Sequence, residues 1–502
     1  MTLVRKALVL SIASIAWFQV ANALQIPIES IDFSVTGEAL APYQDTKSGA
    51  RLVEVPQDHF DPLNNKTWMQ RYFVNDTFWA GPESGAPVFL CVGGEGPPFD
   101  DSVLVSSDHC NNAVEWLEET GALMFALEHR YYGCGYTSSC PVEALDSPES
   151  FRYLSSDQAL EDTALFHEFA SRQYKLPKAT HWITFGGSYP GMMASWARSK
   201  FPHLFFGTVS SSAPVQAQLE MTEYMEVVSR MYANPVVGGS TACRDQIAKG
   251  HAMVGESLQS KVGQMKLEKM FGLEDGFLAI KTNQQSFCGS GVAEFHFQDN
   301  NPACTTPACN VESICKMMLD DYSDPLAALL AVRRAQGETK NVLQDTEQVP
   351  SSPKSAFTTD DAWLWQTCTE FGFYQTCNIG TGCMFTQGLV TLETQFQNCK
   401  KFGITDMKAL ERNIDRTNTR FGGHLMNLDR VLWVNGDCDP WSALSVLHLS
   451  ASQKAHGQRA IVVSGASHHA WTHASAPTDQ QTVVEARKQI RAIVKGWLSG
   501  EK

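Results

Sequence analysis

The sequence predicts an α/β fold, a parallel sheet interrupted by a large helical insertion, on three observations. Short apolar runs alternate with amphipathic stretches from residue 87 to about 210. The same alternation returns from 431 to the C-terminal end. The stretch between, 216–423, has a different texture and holds nine of the fourteen cysteines.

The chain opens with Arg5 and Lys6, an apolar run over 7–20, and the small residues Ala21-Asn22-Ala23. This is the pattern of an export signal cleaved after Ala23. A membrane anchor needs about 18 or more unbroken apolar residues, and Ser11, Ser14 and Gln19 interrupt this run. No later stretch is apolar for long enough to span a bilayer. The mature chain is therefore expected to be soluble, and either secreted or held in a lysosome- or vacuole-like compartment. Export makes the sequons at Asn65 and Asn75 usable for glycosylation. It also makes disulfides the natural use of the cysteines. The groups Cys304, Cys309, Cys315 and Cys368, Cys377, Cys383 lack the paired C-x-x-C spacing of tetrahedral zinc, so no metal is expected.

Apolar runs at 88–92, 123–127, 182–185 and 207–210 are short and bounded by glycine or polar residues, as buried parallel strands are. Between the second and third lies Ser155-Ser156-Asp157-Gln158, a helix-capping start, followed by Leu160, Ala164, Phe166 and Phe169 at roughly helical spacing. Strands alternating with helices imply a sheet covered on both faces. In the insertion, 324–335 reads as a helix and 350–359 as a polar Ser/Pro/Thr segment. Strands at 431–434 and 460–463 and a closing helix through Val483, Ala486, Ile490, Ile493 and Trp497 complete the pattern. The expected organisation is a signal peptide at 1–23, a sheet domain in two parts at 24–215 and 424–502, and a helical, disulfide-braced cap at 216–423.

The net charge is −15, and −17 once Arg5 and Lys6 leave with the signal. Such a surface repels phosphate backbones, so nucleic acid is excluded as a partner.

Gly186-Gly-Ser-Tyr-Pro-Gly191 places Ser188 between a strand and a helix expected over 192–199. A tight strand-to-helix turn of this kind lifts a serine hydroxyl clear of the sheet. Pro190 takes the last position of the G-x-S-x-G pattern and fits the first turn of a helix. Serine needs a base, and the base an orienting carboxylate. Both follow later strands in the order of an α/β-hydrolase: Asp437 or Asp439 in Asn435-Gly-Asp-Cys-Asp-Pro-Trp441, then His468 or His469 in Ser464-Gly-Ala-Ser-His-His469. Spacing does not choose within either pair. His448 and His473 read as structural or surface residues. The Tyr189 N–H and an amide of the loop Gly93-Gly94-Glu95-Gly96, with Gly94 as candidate, would hold an oxyanion.

These three blocks resemble those of the serine peptidases that include lysosomal prolyl carboxypeptidase, dipeptidyl peptidase II and thymus-specific serine protease. Further blocks agree: Gln57-Asp-His-Phe-Asp61, Gln70-Arg-Tyr-Phe73, Glu128-His-Arg-Tyr-Tyr-Gly133, Tyr153-Leu-Ser-Ser-Asp-Gln158 and Gln366-Thr-Cys-Thr-Glu370. The resemblance implies an α/β-hydrolase with a helical cap over its site, a nucleophile Ser188, a carboxylate Asp439 and a base His468. It implies a small apolar pocket at Met192 and Trp441, cleavage after proline, peptide substrates and no cofactor. Glu95 and Glu370 are candidates to receive a free amino terminus. An esterase or lipase shares the triad, but the cysteine-braced, partly polar insertion differs from an apolar lipase lid. A binding protein on the same scaffold would have lost a triad member, and none is missing. A homodimer is left open.

Overall fold

The computed structural model describes residues 49–106, 109–320, 324–337 and 357–500. The expected export signal and most of the polar segment at 350–359 lie outside them. Strands β1 (Arg51–Pro56) and β2 (Thr67–Asn75) form an antiparallel pair. β3 (Val88–Val92), β4 (Leu123–Leu127), β5 (Trp182–Gly187) and β6 (Gly207–Ser211) follow. β7 (Gln218–Glu220) and β8 (Gly372–Tyr374) pair with each other in a small sheet inside the insertion. β9 (Val431–Gly436) and β10 (Arg459–Val463) complete the main sheet, whose order is β1-β2-β4-β3-β5-β6-β9-β10. It is parallel from β4 to β10, while β2 meets β4 antiparallel.

Every residue of β3, β4, β5, β6 and β9 is buried, because both faces of the sheet are covered. Side chains alternate between two cores. Val88, Leu90, Leu123, Phe125 and Trp182 pack on one side with helices α1 (Ser156–Gln173) and α2 (Tyr189–Lys200) through Leu160, Phe166, Met193 and Trp196. Phe89, Met124, Ile183, Phe185, Leu432 and Val434 pack on the other. Ser155 caps α1 as expected, accepting from the Gln158 N–H at 3.3 Å.

The insertion between β6 and β9 carries α3 (Thr222–Tyr232), the paired helices Thr241–Leu258 and Pro325–Ala335, α4 (Thr359–Gln366) and α5 (Met407–Phe421). Asp324 caps Pro325–Ala335. The insertion is mostly helical, with β7 and β8 the addition that sequence patterning did not anticipate. Four disulfides lie within it: Cys243–Cys315, Cys304–Cys309, Cys368–Cys399 and Cys377–Cys383. Cys91–Cys110 and Cys134–Cys140 brace the first part of the sheet region. Cys288 and Cys438 are unpaired and buried. At the neck of the insertion Asn418 clips Ala217 twice: its Oδ1 accepts the Ala217 N–H and its Nδ2 donates to the Ala217 carbonyl, each at 2.8 Å, across 201 residues. The chain closes with α6 (Gln481–Leu498), which lays Val483, Ala486, Ile490, Val494 and Trp497 on the second core. Ile493 is only partly buried at its edge. Among the described residues no helix is long and apolar enough to cross a membrane.

Candidate active site

The end of β5 turns sharply into α2. Ser188 caps that helix at φ 65°, ψ −134°, a left-handed conformation that a serine adopts only under constraint. The constraint is visible: the Ser188 N–H donates to the Ser211 carbonyl at 2.9 Å and its carbonyl accepts from Met192 at 3.1 Å. Gly186 must be glycine, since a Cβ there would lie 2.2 Å from the Pro190 carbonyl oxygen. The helix starts three residues earlier than the expected 192 because the turn itself is its first cap.

β9 and β10 deliver the other two groups. Asp439 is wholly buried, and its Oδ1 accepts from the Trp441 N–H and meets His468 Nδ1, each at 2.9 Å. Asp437 points elsewhere, taking the Ser464 hydroxyl at 3.1 Å and the Gly465 N–H at 2.6 Å. His469 also faces away from Asp439. Its N–H donates to Ser212 Oγ at 2.9 Å, its Nδ1 meets Thr472 Oγ1 at 3.0 Å, and burial holds its imidazole well below the usual range. His473 stacks edge-on to His469 and His448 is exposed. With the His468 Nδ1–H donating to Asp439, Nε2 keeps a lone pair. That atom is buried without a hydrogen-bond partner, as is Asp439 Oδ2.

The glycine loop after β3 lies opposite. The Glu95 side chain lies near the Ser188 hydroxyl, the Tyr189 N–H and His468, and its Oε2 is buried without a hydrogen-bond partner. Burial pushes this carboxyl up from the ordinary glutamate range. Gly94, the expected second donor, packs against Pro190: a Cβ there would meet the proline Cγ at 2.3 Å.

Met192, one turn along α2, is fully buried, and Trp441 follows Asp439. The Trp441 ring lies 5.4 Å from Tyr224, 5.4 Å from Phe373 and 6.4 Å from His468. Its Nε1 donates to Gln298 Oε1 at 2.8 Å, and the Gln298 carbonyl accepts the His468 N–H at 2.9 Å. Gln298, Tyr224 and Phe373 all come from the insertion, and nothing in their local sequence marks them.

Behind Ser188 the Tyr189 phenol enters a buried network. His129 donates from Nδ1 to the Arg130 carbonyl at 2.8 Å, so its Nε2 accepts from the Tyr189 hydroxyl at 3.0 Å. Burial lowers the His129 pKa to about 4, which keeps it neutral. Gln366 donates to Tyr189 and to Glu370 Oε2, each at 3.0 Å, and accepts from the Tyr132 hydroxyl at 2.6 Å. Glu370, in a π-helical turn that prolongs α4, takes the first N–H of α1, from Ser156, at 3.0 Å. Its carboxyl is engaged inside the protein, and burial pushes its pKa up to about 7. Glu128, from the same block as His129, pairs with Arg71 at 2.8 Å and accepts the Phe99 N–H at 3.0 Å, anchoring the far end of the Glu95 loop. Among the described residues no group of three or more His, Cys, Asp and Glu is arranged to hold a metal.

The strand order, the strained serine after β5 and the acid–base pair after β9 and β10 are those of an α/β-hydrolase, and residues 55–490 match the model of the family described as serine carboxypeptidase S28. The chain belongs to the S28 family. It is a serine peptidase acting on peptides. It is 32% identical over 465 residues to the human thymus-specific serine protease, covering 88% of this chain and 85% of that one. It is 26% identical over 483 residues to the bovine lysosomal Pro-X carboxypeptidase, covering 90% and 88%. Among solved structures, a proline iminopeptidase of Mycobacterium smegmatis aligns with a TM-score of 0.36 and 12% identity over 90% of this chain and 97% of that one.

Proposed function

We propose that this S28 enzyme is an exported exopeptidase that cleaves after proline, with Ser188 as nucleophile, His468 as base and Asp439 as its orienting carboxylate. The observation that carries the reading is the His468 Nδ1 to Asp439 Oδ1 contact of 2.9 Å, with Nε2 buried and without a hydrogen-bond partner. His468 takes the serine proton as Oγ attacks the peptide carbonyl. The Tyr189 N–H and an amide of the Gly93–Gly96 loop hold the oxyanion. His468 then protonates the leaving amine, and water repeats the cycle on the acyl-enzyme. Asp439 keeps the imidazole in the tautomer that leaves Nε2 basic.

The pocket at Met192 and Trp441 suits a proline ring, which is flat, apolar and has little rotamer entropy to lose. Tyr224, Phe373 and Gln298 extend it, and residues 216–423 act as the cap that supplies them. The name of the Pro-X carboxypeptidase relative agrees with proline as the preferred residue. Export is expected to leave a mature chain starting near Leu24. A glycan is expected on exposed Asn65 in preference to Asn75, whose Nδ2 already donates to the Leu104 carbonyl at 2.9 Å.

A peptide-library digest read by mass spectrometry tests the specificity. Cleavage should follow proline first and alanine second. Cleavage mainly after lysine, arginine or large aromatic residues rejects proline specificity. A folded Ser188→Ala protein that still turns over peptides rejects the nucleophile.

A further inference from the structure

The loop between β10 and α6 carries an irregularity next to its working residue. His469, immediately after His468, has φ 36° and ψ 37°, a left-handed conformation that a residue other than glycine adopts only when its surroundings impose it. The chain reverses there into the short turn Ala470–Thr472. Two contacts fasten this turn to the end of β6: the His469 N–H donates to Ser212 Oγ and the Trp471 indole N–H to Ser211 Oγ, each at 2.9 Å. Ser211 also accepts the Ser188 N–H through its carbonyl, so one residue steadies the turn of the nucleophile and the turn of the base together.

α6 supplies a third fastening. Arg487 is buried there, and its Nε donates to the Trp471 carbonyl at 2.9 Å while Nη2 donates to the Ala470 and His473 carbonyls at 3.3 and 3.1 Å. These carbonyls lie three, two and five positions after His468. Nη1 pairs with Asp479, which offsets the buried charge and also accepts the Ala476 N–H at 2.8 Å, closing the far end of the same loop. A helical turn leaves its last carbonyls without partners of their own. The planar fork of an arginine holds several donors at fixed spacing, which a lysine ammonium does not, so Arg487 sets the positions of the three carbonyls relative to one another.

We propose that Arg487 is a positioning residue: by gathering the carbonyls of Ala470, Trp471 and His473 it holds His469 in its left-handed conformation and so keeps the His468 imidazole in register with Asp439 and Ser188. This rests on the reading of His468 as the base and adds to it a residue of the closing helix. Arg487 bonds the main chain of the loop and lies outside the set of groups that react. Its loss lets the turn relax and misplaces the base, while the pocket at Met192 and Trp441 keeps its own walls. The effect therefore falls on kcat and not on KM.

The test uses the full-length enzyme, with active sites counted by fluorophosphonate labelling of Ser188 taken to completion, so that turnover is expressed per labelled serine. Arg487→Lys keeps the charge and loses the fork: kcat per labelled serine should fall about tenfold with KM unchanged to within about twofold. Arg487→Ala should lose about a hundredfold, the scale of a misplacement of about 1 Å. The rate of labelling should fall in step, because that reaction also needs the base. Millimolar guanidinium ion should restore part of the Arg487→Ala turnover and leave the wild type unchanged. Should the alanine variant not fold, the lysine variant still answers. Fewer labelled serines with an unchanged kcat on each would make Arg487 purely structural and overturn the proposal. A KM rise as large as the kcat loss, or a folded Arg487→Ala that guanidinium does not revive, would overturn it too. His468→Ala separates the two levels. If it inactivates the enzyme while Arg487→Lys keeps full kcat, the Arg487 assignment alone falls, whereas a His468→Ala enzyme that still turns over sinks the base reading beneath it.

Discussion

Behind Ser188, the Tyr189 phenol, His129, Ser156, Tyr132, Gln366 and Glu370 form a buried network in which each polar side chain has a partner. In front of it, Glu95 Oε2, Asp439 Oδ2 and His468 Nε2 are equally buried and have none. The two regions share polarity and burial and differ only in completeness. Buried polar groups are normally satisfied, so the complete side holds the nucleophile's turn in place, and the incomplete side is where a substrate supplies what is missing. Residues in front should matter to rate more than to stability, and residues behind the reverse.

The largest effect expected from this contrast is at the base. His468→Ala should lower kcat by roughly a thousandfold or more with the thermal midpoint nearly unchanged. His469→Ala should lower it far less while reducing stability, since its ring packs on Gly187 and its Nδ1 meets Thr472 Oγ1. Steady-state kinetics beside thermal unfolding checks both, and the reverse ranking moves the base to His469.

Next comes the pocket. Trp441→Ala should reduce kcat/KM on proline substrates by more than on alanine substrates, by about 1 to 3 kcal/mol for a ring-sized apolar contact. Gln298→Ala frees the indole but leaves the main-chain bond to His468, so it should raise KM on proline substrates with a smaller change in kcat. A pure kcat loss would show that Gln298 acts through the base instead.

On the complete side, Gln366→Leu removes the partner of the Tyr132 hydroxyl and one of several partners of Tyr189 and Glu370. It should destabilise by on the order of 1 to 3 kcal/mol for the buried Tyr132 hydroxyl left unpaired, measured by denaturant unfolding. Folded variant that retained full stability would contradict the structural role of the network.

The smallest effect is a pH dependence. The Glu370 pKa is about 7 in the fold and starts from the ordinary glutamate value of 4.5. Between these values the folded chain binds more protons than the unfolded one, so this contribution to stability is present at low pH and is lost as pH rises through about 7. Glu370→Gln removes the dependence. Its stability relative to wild type should therefore rise from pH 5 to pH 7.5, by on the order of 1 to 3 kcal/mol. The opposite trend from His129, whose pKa falls to about 4, cancels in the difference between the two proteins. A flat difference would show that Glu370 titrates normally.

Strands β3 to β6 and β9 were readable because burial on both faces leaves apolar runs between glycines and polar turns, and β10 by its apolar run alone, since most of it is only partly buried or exposed. β2 was not, because the polar Gln70 and Arg71 are buried in it, and their hydrogen bonds run to Glu128, more than fifty positions away. Ser188, Asp439 and His468 were readable as candidates through motif order, but choosing Asp439 over Asp437 required the direction of each carboxylate. The Trp441 wall was only half visible, since Tyr224, Gln298 and Phe373 reach it from separate parts of the insertion. The disulfide partners had no signature at all in their spacing.

The double clip between Asn418 and Ala217 has a consequence for how the molecule is made. During synthesis Ser188 emerges long before Asp439 and His468, and β6 then has an open edge that only β9 can cover. Closing a gap of this length adds little entropy beyond that of a shorter one, about 0.6 kcal/mol for each doubling. A folded insertion with a closed neck reduces even that, because it presents β9 to β6 as though the intervening residues were a short turn. Until the ribosome has passed the insertion, the nascent chain holds Ser188 without His468, and with the proposed triad incomplete, proteins emerging beside it meet an inert hydroxyl.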